Sequence, residues 1–151
     1  MSLITVRQAA LSDVADLALL FDEYRQFYGR DSDIAAAESF LRARFNHGES
    51  TLFVAHDECA DPLGFVQLYP SFSSVAMARI FILNDLYVRP DARRKGVATT
   101  LLAEAETFGR SLGAVRLSLS TAMTNEEAQA LYEAAGWQRD QQFQVFHCPI
   151  Q

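Results

Sequence analysis

The chain has 151 residues, of which half are hydrophobic and 21% are charged, a composition typical of one globular domain with a substantial core. Its formal net charge of −6 argues against a general nucleic-acid-binding protein, whose surface would be basic. Cys59 and Cys148 form no CxxC pair and have no metal-ligand spacing with the three histidines, so neither a disulfide framework nor a metal site is predicted.

The first half of the chain predicts a strand, two helices and a β-hairpin. Residues 3–8 are β-prone, and apolar residues with helical spacing after a cap at Ser12 or Asp13 predict a helix that Gly29 ends. A second helix is expected over residues 31–45. Strands over 50–57 and 64–70, separated by the turn-rich sequence DECADPLG, complete this half.

The second half predicts three strands and two helices. A strongly β-prone run covers residues 78–90, a helix follows over roughly 96–112, and an alternating strand covers 114–121. The sequence TNEE predicts a helix that begins with a capping box between Thr124 and Glu127, and residues 143–150 predict a last strand. The fold class is therefore α/β with a mixed sheet, of order β-α-α-β-β-β-α-β-α-β. A strand, a helix and a strand over 78–120 imply a right-handed crossover and a parallel pair.

No linker, repeat or low-complexity segment divides the chain, so we expect a single domain over residues 1–151. The N-terminal sequence lacks the basic and apolar regions of a signal peptide, and no apolar run approaches the ~18–20 residues of a membrane span. These features predict a cytoplasmic protein with no membrane partner.

Three cations, Arg93, Arg94 and Lys95, stand immediately before Gly96, where the helix at 96–112 begins. Cations destabilise a helix N-terminus unless an anion is bound there, and the first amides of the helix have no intrahelical acceptor. We therefore favour an anion site over a solvated face. Neither GxxxxGK[ST] nor GxGxxG is present, so the loop is of neither of those two phosphate-binding types.

Two motifs of this sequence resemble the signatures of a known family. Arg93-x-x-Gly96-x-Ala98 resembles the pyrophosphate loop, (Q/R)xxGx(G/A), of the GNAT superfamily of N-acetyltransferases, and NEEAQALYEAAGW resembles its second signature. The residues in register with the second signature are Asn125, Ala128, Leu131, Tyr132, Gly136 and Trp137. The element order matches the superfamily over residues 3–150. The resemblance implies a GNAT-like mixed central sheet with helices on both faces, whose parallel strands at 78–90 and 114–121 splay apart.

The resemblance implies acetyl-CoA as the cosubstrate. The strand backbone at Leu86, Tyr87 and Val88 would pair with the pantetheine arm as if with another strand. Asn125 would contact the pantetheine, and Tyr132 would point at the sulfur. The pyrophosphate would meet the cations and amides of the loop, namely Arg93, Arg94, Lys95, Gly96, Val97, Ala98 and Thr99.

The resemblance also implies catalytic roles. The Val88 amide would be an oxyanion donor, and Tyr132 would be a general acid for the departing thiolate. Asn84 and Asp85 stand where acidic residues serve as the base in several branches of the superfamily. The sequence resembles the LEDFFV segment of spermidine/spermine N-acetyltransferases, with Asn84 in place of the expected glutamate. A structural role for Asp85, a water chain and an amine that is already neutral remain open as alternatives.

The acceptor pocket is expected at residues 22–29 and 67–74, with Tyr28, Gln67, Tyr69 and Phe72 as substrate-binding residues. The expected function is transfer of acetyl from acetyl-CoA to a primary amine of a small molecule, with no nucleic-acid partner. A non-catalytic CoA-binding module, a protein N-acetyltransferase and a polyanion-binding module are the alternatives. A homodimer is also expected, with residues 143–150 at its interface.

Overall fold

The computed structural model describes residues 3–150, which form two compact units that divide after Ser120. The described residues of the first unit contain a β-sheet and three α-helices, and those of the second contain one α-helix. Among the described residues no helix has both the length and the apolarity of a membrane span.

The sheet of the first unit is mixed, as predicted. Its strands lie in the order β1-β2-β3-β4-β5, with antiparallel pairing from β1 to β4 and parallel pairing between β4 and β5. The strands are β1 (Thr5–Gln8), β2 (Thr51–His56), β3 (Pro62–Ser73), β4 (Ala78–Val88) and β5 (Leu117–Ser118). The last of these is much shorter than the strand predicted over 114–121.

Helices cover both faces of this sheet, because successive side chains of a strand point to opposite faces and both sets are apolar, as in the buried run at residues 52–55 of β2. The helices are α1 (Val14–Phe27), α2 (Ile34–Asn46) and α3 (Val97–Ser111). Leu52 and Val54 of β2 join the buried cluster formed with α1 and α2. Phe53, which lies between them, contacts Phe108 of α3 at a ring-centroid distance of 5.4 Å. The predicted two-sided arrangement is confirmed for the first unit.

A β-bulge interrupts β4 at Asn84. Leu68 of β3 pairs with Leu83, whereas Gln67 pairs with Asp85, so Asn84 is an extra residue without a partner in the register of β3. A bulge of this kind adds one residue to one strand and changes the direction of the side chains that follow.

The faces of β4 exchange at this bulge. Phe81 packs against Phe108 of α3, with ring centroids 5.3 Å apart. Tyr87 packs against Tyr24 of α1, with ring centroids 6.2 Å apart. Phe81 and Tyr87 are six residues apart and would share one face of a regular strand. The bulge therefore turns the end of β4, including Asp85, toward α1.

The second unit corrects two predictions. Its helix, α4 (Glu126–Ala134), begins one residue later than predicted, and Asn125 caps it by accepting from the amide of Ala128 at 3.1 Å. Thr124 is therefore not the cap, and the predicted capping box is wrong. Asn caps a helix at least as well as Thr.

The strand predicted over residues 143–150 is also wrong, because this segment has no regular secondary structure. Phe143 and Phe146 are exposed. The described residues of the second unit contain no strand with which this segment could pair. A β-prone sequence needs such a partner, since strand propensity reflects packing and pairing more than an intrinsic backbone preference.

Candidate active site

The loop between β4 and α3 has a backbone shape that favours anion binding. Arg94 has a φ of 60° and Gly96 a φ of 83°, while Lys95 between them is not among the residues with positive φ. Backbone of alternating hand turns successive N–H groups toward one point and forms a concavity for anions. Left-handed φ is unfavourable for a side chain such as that of Arg94, so the loop holds this shape against a local conformational cost.

The first turn of α3 adds free amides to this concavity. The first intrahelical bond runs from Thr100 N to Gly96 O at 3.0 Å, so the amides of Val97, Ala98 and Thr99 precede the helical hydrogen-bond ladder. No other part of the described protein comes within 4 Å of the position that a Cβ on Gly96 would occupy. The space in front of the helix is therefore open, and the loop fits a phosphate group.

Two cations of the loop, Arg93 and Lys95, donate to backbone carbonyl groups. Arg93 donates from Nε to the Val88 carbonyl at 2.9 Å, and its guanidinium lies 5.7 Å from the Tyr87 ring and 6.0 Å from the Phe27 ring. Lys95 donates to the Asp91 carbonyl at 3.2 Å. Arg93 thus ties the loop to β4 and to the end of α1, which is a contact that the sequence analysis did not assign.

The end of β4 directs backbone groups away from β3. Arg89 N donates to Leu63 O at 2.9 Å. Hydrogen-bonded and non-hydrogen-bonded pairs alternate along an antiparallel ladder, so the neighbouring pair Gly64–Val88 exchanges no hydrogen bonds. The N–H and C=O of Val88 therefore point toward the opposite edge of β4.

This edge of β4 is open along its last residues. Leu86 lies two residues before Val88 and points its backbone groups the same way. β5 pairs with β4 at Phe81 and Ile82 and, in the described part of the first unit, no further. An extended ligand can therefore bond to this edge as a strand would, with the loop between β4 and α3 beyond its end.

Gly64 fixes the position of Val88. A Cβ on Gly64 would lie 2.5 Å from the Tyr87 carbonyl oxygen and 3.2 Å from the Val88 Cα. Only glycine therefore allows β3 to approach β4 this closely, and the Val88 amide is held by its backbone neighbours.

A buried polar cluster lies on the α1 face of the sheet, around Asp85. Gln67 donates from Nε2 to Asp85 Oδ2 at 2.7 Å, and its Oε1 accepts from the Ser50 hydroxyl at 2.7 Å. Asn84 donates to Asp85 Oδ1 at 3.1 Å. Gln67 is fully buried, so this predicted substrate-binding residue supports Asp85 from within the fold.

Asp85 is the titratable member of the pair predicted as base, since the Asn84 amide donates a hydrogen bond and does not take up protons. Burial raises the pKa of Asp85 above its ordinary value, and hydrogen bonds from Gln67, Tyr24 and Asn84 oppose the rise. Burial, followed by the charge of Asp85, raises the pKa of Tyr69 to about 12.

Tyr24 is a site residue that the sequence analysis missed. Its phenol hydrogen-bonds Asp85 and lies 3.4 Å from the Asn84 carbonyl oxygen. Its ring packs against Tyr28 at 5.1 Å and Phe65 at 6.0 Å. Tyr24 has the helical spacing of the apolar residues of α1, which indicates a packing role only, and no sequence signal indicated the bulge that brings Asp85 to it.

The remaining predicted acceptor residues lie along α1 and β3. Tyr28, 54% exposed, contacts Tyr24, and Tyr69 is half-buried beside Asp85. Phe72 is 67% exposed and lies farther along β3, with the Arg79 guanidinium 5.2 Å from its ring. Tyr28 and Tyr69 are thus the members of this set that neighbour the Asp85 cluster.

In the second unit, the two residues predicted to act on the cosubstrate lie at the start and in the middle of α4. Asn125 uses its side-chain oxygen to cap the helix. Tyr132 is half-buried, and its ring centroid lies 5.9 Å from that of Trp137.

Comparison with known proteins shows the family. The sequence pattern of the Acetyltransferase (GNAT) family matches residues 17–137. The uncharacterized N-acetyltransferase YhfO of Bacillus subtilis is 47% identical over 143 residues, which cover 95% of this chain and 95% of that protein. A thialysine N-epsilon-acetyltransferase of Bos taurus is 25% identical over 158 residues, covering 98% of this chain and 92% of that protein.

Solved structures agree with this relationship. A crystal structure of a probable acetyltransferase has a TM-score of 0.93 at 43% identity and covers 97% of this chain and 98% of its own. The aminoglycoside N-acetyltransferase AAC(6')-Iy, solved in complex with CoA, shares the fold with a TM-score of 0.82 at 17% identity, over 99% and 97% of the two chains. The chain therefore belongs to the Acetyltransferase (GNAT) family and is an N-acetyltransferase that uses acetyl-CoA.

Proposed function

We propose that this enzyme transfers acetyl from acetyl-CoA to a primary amine of a small molecule in the cytoplasm. The observation that carries the proposal is the open edge of β4 at Leu86 and Val88, which leads to the phosphate-binding loop at Arg94–Thr99. A thialysine acetyltransferase among the relatives and an aminoglycoside acetyltransferase among the structural neighbours support a small acceptor.

Acetyl-CoA fits this site by the groups that the chain offers. The backbone of Leu86, Tyr87 and Val88 bonds the pantetheine amides as a neighbouring strand would. The pyrophosphate accepts from the loop amides, with the charges of Arg94 and Lys95 beside it. The family resemblance makes Asn125 a further proposed contact of the pantetheine arm. Arg93 acts through Val88, since its Nε already bonds the Val88 carbonyl.

The chemistry needs three protein contributions. The acceptor nitrogen must be neutral and lie within ~3–3.5 Å of the thioester carbon, and such positioning supplies much of the acceleration. The Val88 N–H stabilises the charge that develops on the carbonyl oxygen. Tyr132 protonates the departing thiolate.

The acceptor binds on the α1 face, beside the Asp85 cluster. Tyr28 and Tyr69 provide aromatic walls there, and the buried charge of Asp85 attracts a cationic amine. Phe72 pairs with Arg79 on the face of the sheet that packs against α3, so we do not assign it to this pocket. Gln67 is buried and hydrogen-bonded at both ends, so we assign it to Asp85 rather than to the substrate.

An amine panel tests this function. The wild-type enzyme is incubated with acetyl-CoA and thialysine, sisomicin or spermidine, and released CoA thiol is measured together with the acetylated product. We expect transfer to at least one of these amines. We also expect CoA to raise the melting temperature, since a ligand at 100 times its Kd stabilises by about 2.7 kcal/mol. Binding of CoA with no acetylated amine in the panel would contradict a small-amine acceptor.

We also propose that the enzyme is a homodimer with residues 143–150 at the interface. Exposed apolar side chains concentrate in this segment, where Phe143 is 76%, Phe146 is 88% and Ile150 is 91% exposed. Apolar residues presented together in this way are typical of protein–protein interfaces.

A further inference from the structure

Removal of a proton from the acceptor amine needs a group that no assigned residue supplies by direct contact. A primary amine is largely an ammonium ion at neutral pH and cannot attack until it loses a proton. Asn84 is an amide. Asp85 is only 4% exposed, and its carboxylate is enclosed by Gln67, Asn84 and Tyr24. The half-buried phenol of Tyr24 is therefore the link between the Asp85 carboxylate and the acceptor side.

We propose that Tyr24 passes the proton of the acceptor ammonium to Asp85, while Gln67 holds Asp85 in position. This inference rests on the proposed transfer to an amine. A phenol hydroxyl donates one hydrogen bond and accepts two, so Tyr24 can donate to Asp85 and accept from an ammonium ion together. The Tyr24 ring is fixed by stacking on Phe21 at 6.2 Å and by edge contacts with Phe65 and Tyr87.

Gln67 is the positioning residue of this pair. Its Oε1 accepts from Ser50, and this bond orients the amide so that Nε2 faces Asp85. The side chains that hydrogen-bond Asp85 and shift its pKa are therefore all neutral. Burial among neutral groups favours proton uptake by a carboxylate, and the hydrogen bonds to it favour the ionised form.

The other titratable groups around Asp85 do not replace Tyr24 in this role. Tyr69 approaches from β3, and its pKa is raised to about 12. Arg44 of α2 acts on Tyr69 rather than on Asp85. Tyr87 lies on the same strand, and its charged neighbours are Glu23, Arg93 and Arg89.

The proton balance closes with the groups present. An N–H bond of the ammonium breaks as its proton joins the Tyr24 oxygen, and the original phenol proton moves to Asp85. The neutral amine then forms the N–C bond as the C–S bond breaks. The second proton leaves the nitrogen and ends on the CoA sulfur, through Tyr132 under the proposed mechanism. Asp85 returns its proton to solvent after product release.

The phenylalanine variant Tyr24→Phe tests the relay, because it removes the hydroxyl and keeps the ring. We use the fastest amine of the panel and measure kcat/KM from pH 6 to pH 10. At pH 7 we expect a loss of about 10²–10⁴-fold. The loss should shrink as the pH approaches the pKa of the amine, because a neutral amine needs no relay. Ser111→Ala, which removes a hydroxyl at the exposed end of α3, should keep wild-type kinetics.

A carboxyl titration supplies a second readout that needs no turnover. The enzyme is labelled with ¹³C-aspartate, and the Asp85 signal is identified by its loss in Asp85→Asn. Tyr24→Phe and Gln67→Leu should each raise the pKa of Asp85, because each removes a hydrogen bond to the carboxylate. Ser50→Ala should raise it less, since it frees the Gln67 amide without deleting it. Asp16→Asn, an exposed carboxylate of α1, should leave the Asp85 signal unchanged.

The outcomes separate the relay from the proposed function. An active wild-type enzyme with an equally active Tyr24→Phe variant at every pH overturns the relay and leaves the proposed function intact. An Asp85 pKa that is unchanged in Tyr24→Phe also overturns it. Failure of the wild-type enzyme to acetylate any amine would instead defeat the proposed function, and the relay with it.

Discussion

At the scale of single residues, the site depends on glycines that serve different purposes. Gly96 has a left-handed φ of 83° and open space around it, so a side chain there is opposed by backbone strain alone. Gly64 has no positive φ but lies against the backbone of Tyr87 and Val88, so a side chain there is opposed by collision. These two causes predict different consequences for the same substitution.

Gly96→Ala should lower the free energy of unfolding by about 1 kcal/mol, because a left-handed φ disfavours a Cβ. It should also weaken CoA binding, because the new methyl group enters the space in front of α3. Gly48→Ala is the matched control, since Gly48 has a φ of 65° and equally open surroundings outside the site. Urea unfolding should give similar losses for both variants, while calorimetry with CoA should show weaker binding for Gly96→Ala alone. Equal CoA affinity in both would contradict a phosphate site at Gly96.

Gly64→Ala should act on catalysis through Val88. The added Cβ would push β3 away from the Tyr87 carbonyl and displace the Val88 amide, and overpacking of this kind costs about 1–3 kcal/mol. We expect a lower kcat with a smaller change in CoA affinity, because the phosphate-binding loop is not moved directly. Steady-state kinetics and CoA calorimetry measure the two effects. A normal kcat would show that the position of the Val88 amide is not critical.

At the scale of secondary-structure elements, Asp22 joins α1 to the segment that precedes α2. The carboxylate is 3% exposed and accepts from the Ser32 hydroxyl and the Asp33 amide, each at 2.7 Å, and from Gln26 at 3.0 Å. The Ser32 hydrogen bond is the largest cause of a lowered pKa for Asp22, and burial acts against it. Folding thus favours the ionised carboxylate.

Asp22→Asn should destabilise the protein by about 1–3 kcal/mol at neutral pH, because an amide cannot accept all of these hydrogen bonds. Since folding lowers the pKa of Asp22, its contribution is complete above the ordinary value of 3.8 and is lost as the pH falls through the lower folded-state pKa. The stability difference between wild type and variant should therefore shrink toward low pH. Urea unfolding between pH 7 and pH 2.5 measures it, with Asp16→Asn as an exposed control on the same helix. A difference that stays constant with pH would contradict this assignment.

Periodicity predicted the helices of the first unit because each of them buries one regular face, and β-prone runs between turn residues predicted its strands. The boundaries of α1, α2 and α3 followed the apolar spacing, and the Arg93-x-x-Gly96-x-Ala98 pattern marked the loop before α3. The bulge at Asn84 leaves no such trace, since an inserted residue is visible only in the pairing with β3. For that reason the sequence predicted Asp85 as a candidate base but not its contacts with Gln67 and Tyr24.

At the scale of the whole molecule, the second unit was predicted less well than the first. Its helix formed as expected, but residues 143–150 have the apolar composition of a strand without the pairing. The apolar composition of a segment indicates that it tends to be buried, but it does not specify the partner that buries it.

The proposed dimer interface at residues 143–150 can be tested by substitution. Sedimentation equilibrium should show a dimer for the wild-type protein and a monomer for Phe146→Asp, because a charge is poorly tolerated in the apolar core of an interface. Gln141→Asp, an exposed residue outside the segment, should remain dimeric. A monomeric wild-type protein at micromolar concentration would contradict the dimer, and a dimeric Phe146→Asp would contradict this interface.

The bulge at Asn84 has a consequence for how related sequences are compared. A chain with the same loop motif but one residue fewer in β4 would still bind the cosubstrate through that loop. A carboxylate that follows the β3–β4 turn by the same number of residues as Asp85 would then pair with the position of Val66. It would point toward α3, on the side opposite Tyr24. The count of residues between the β3–β4 turn and the glycine of the loop therefore carries information that the motif itself does not. Family members sorted by that count should divide into those that share this proton path and those that must use another.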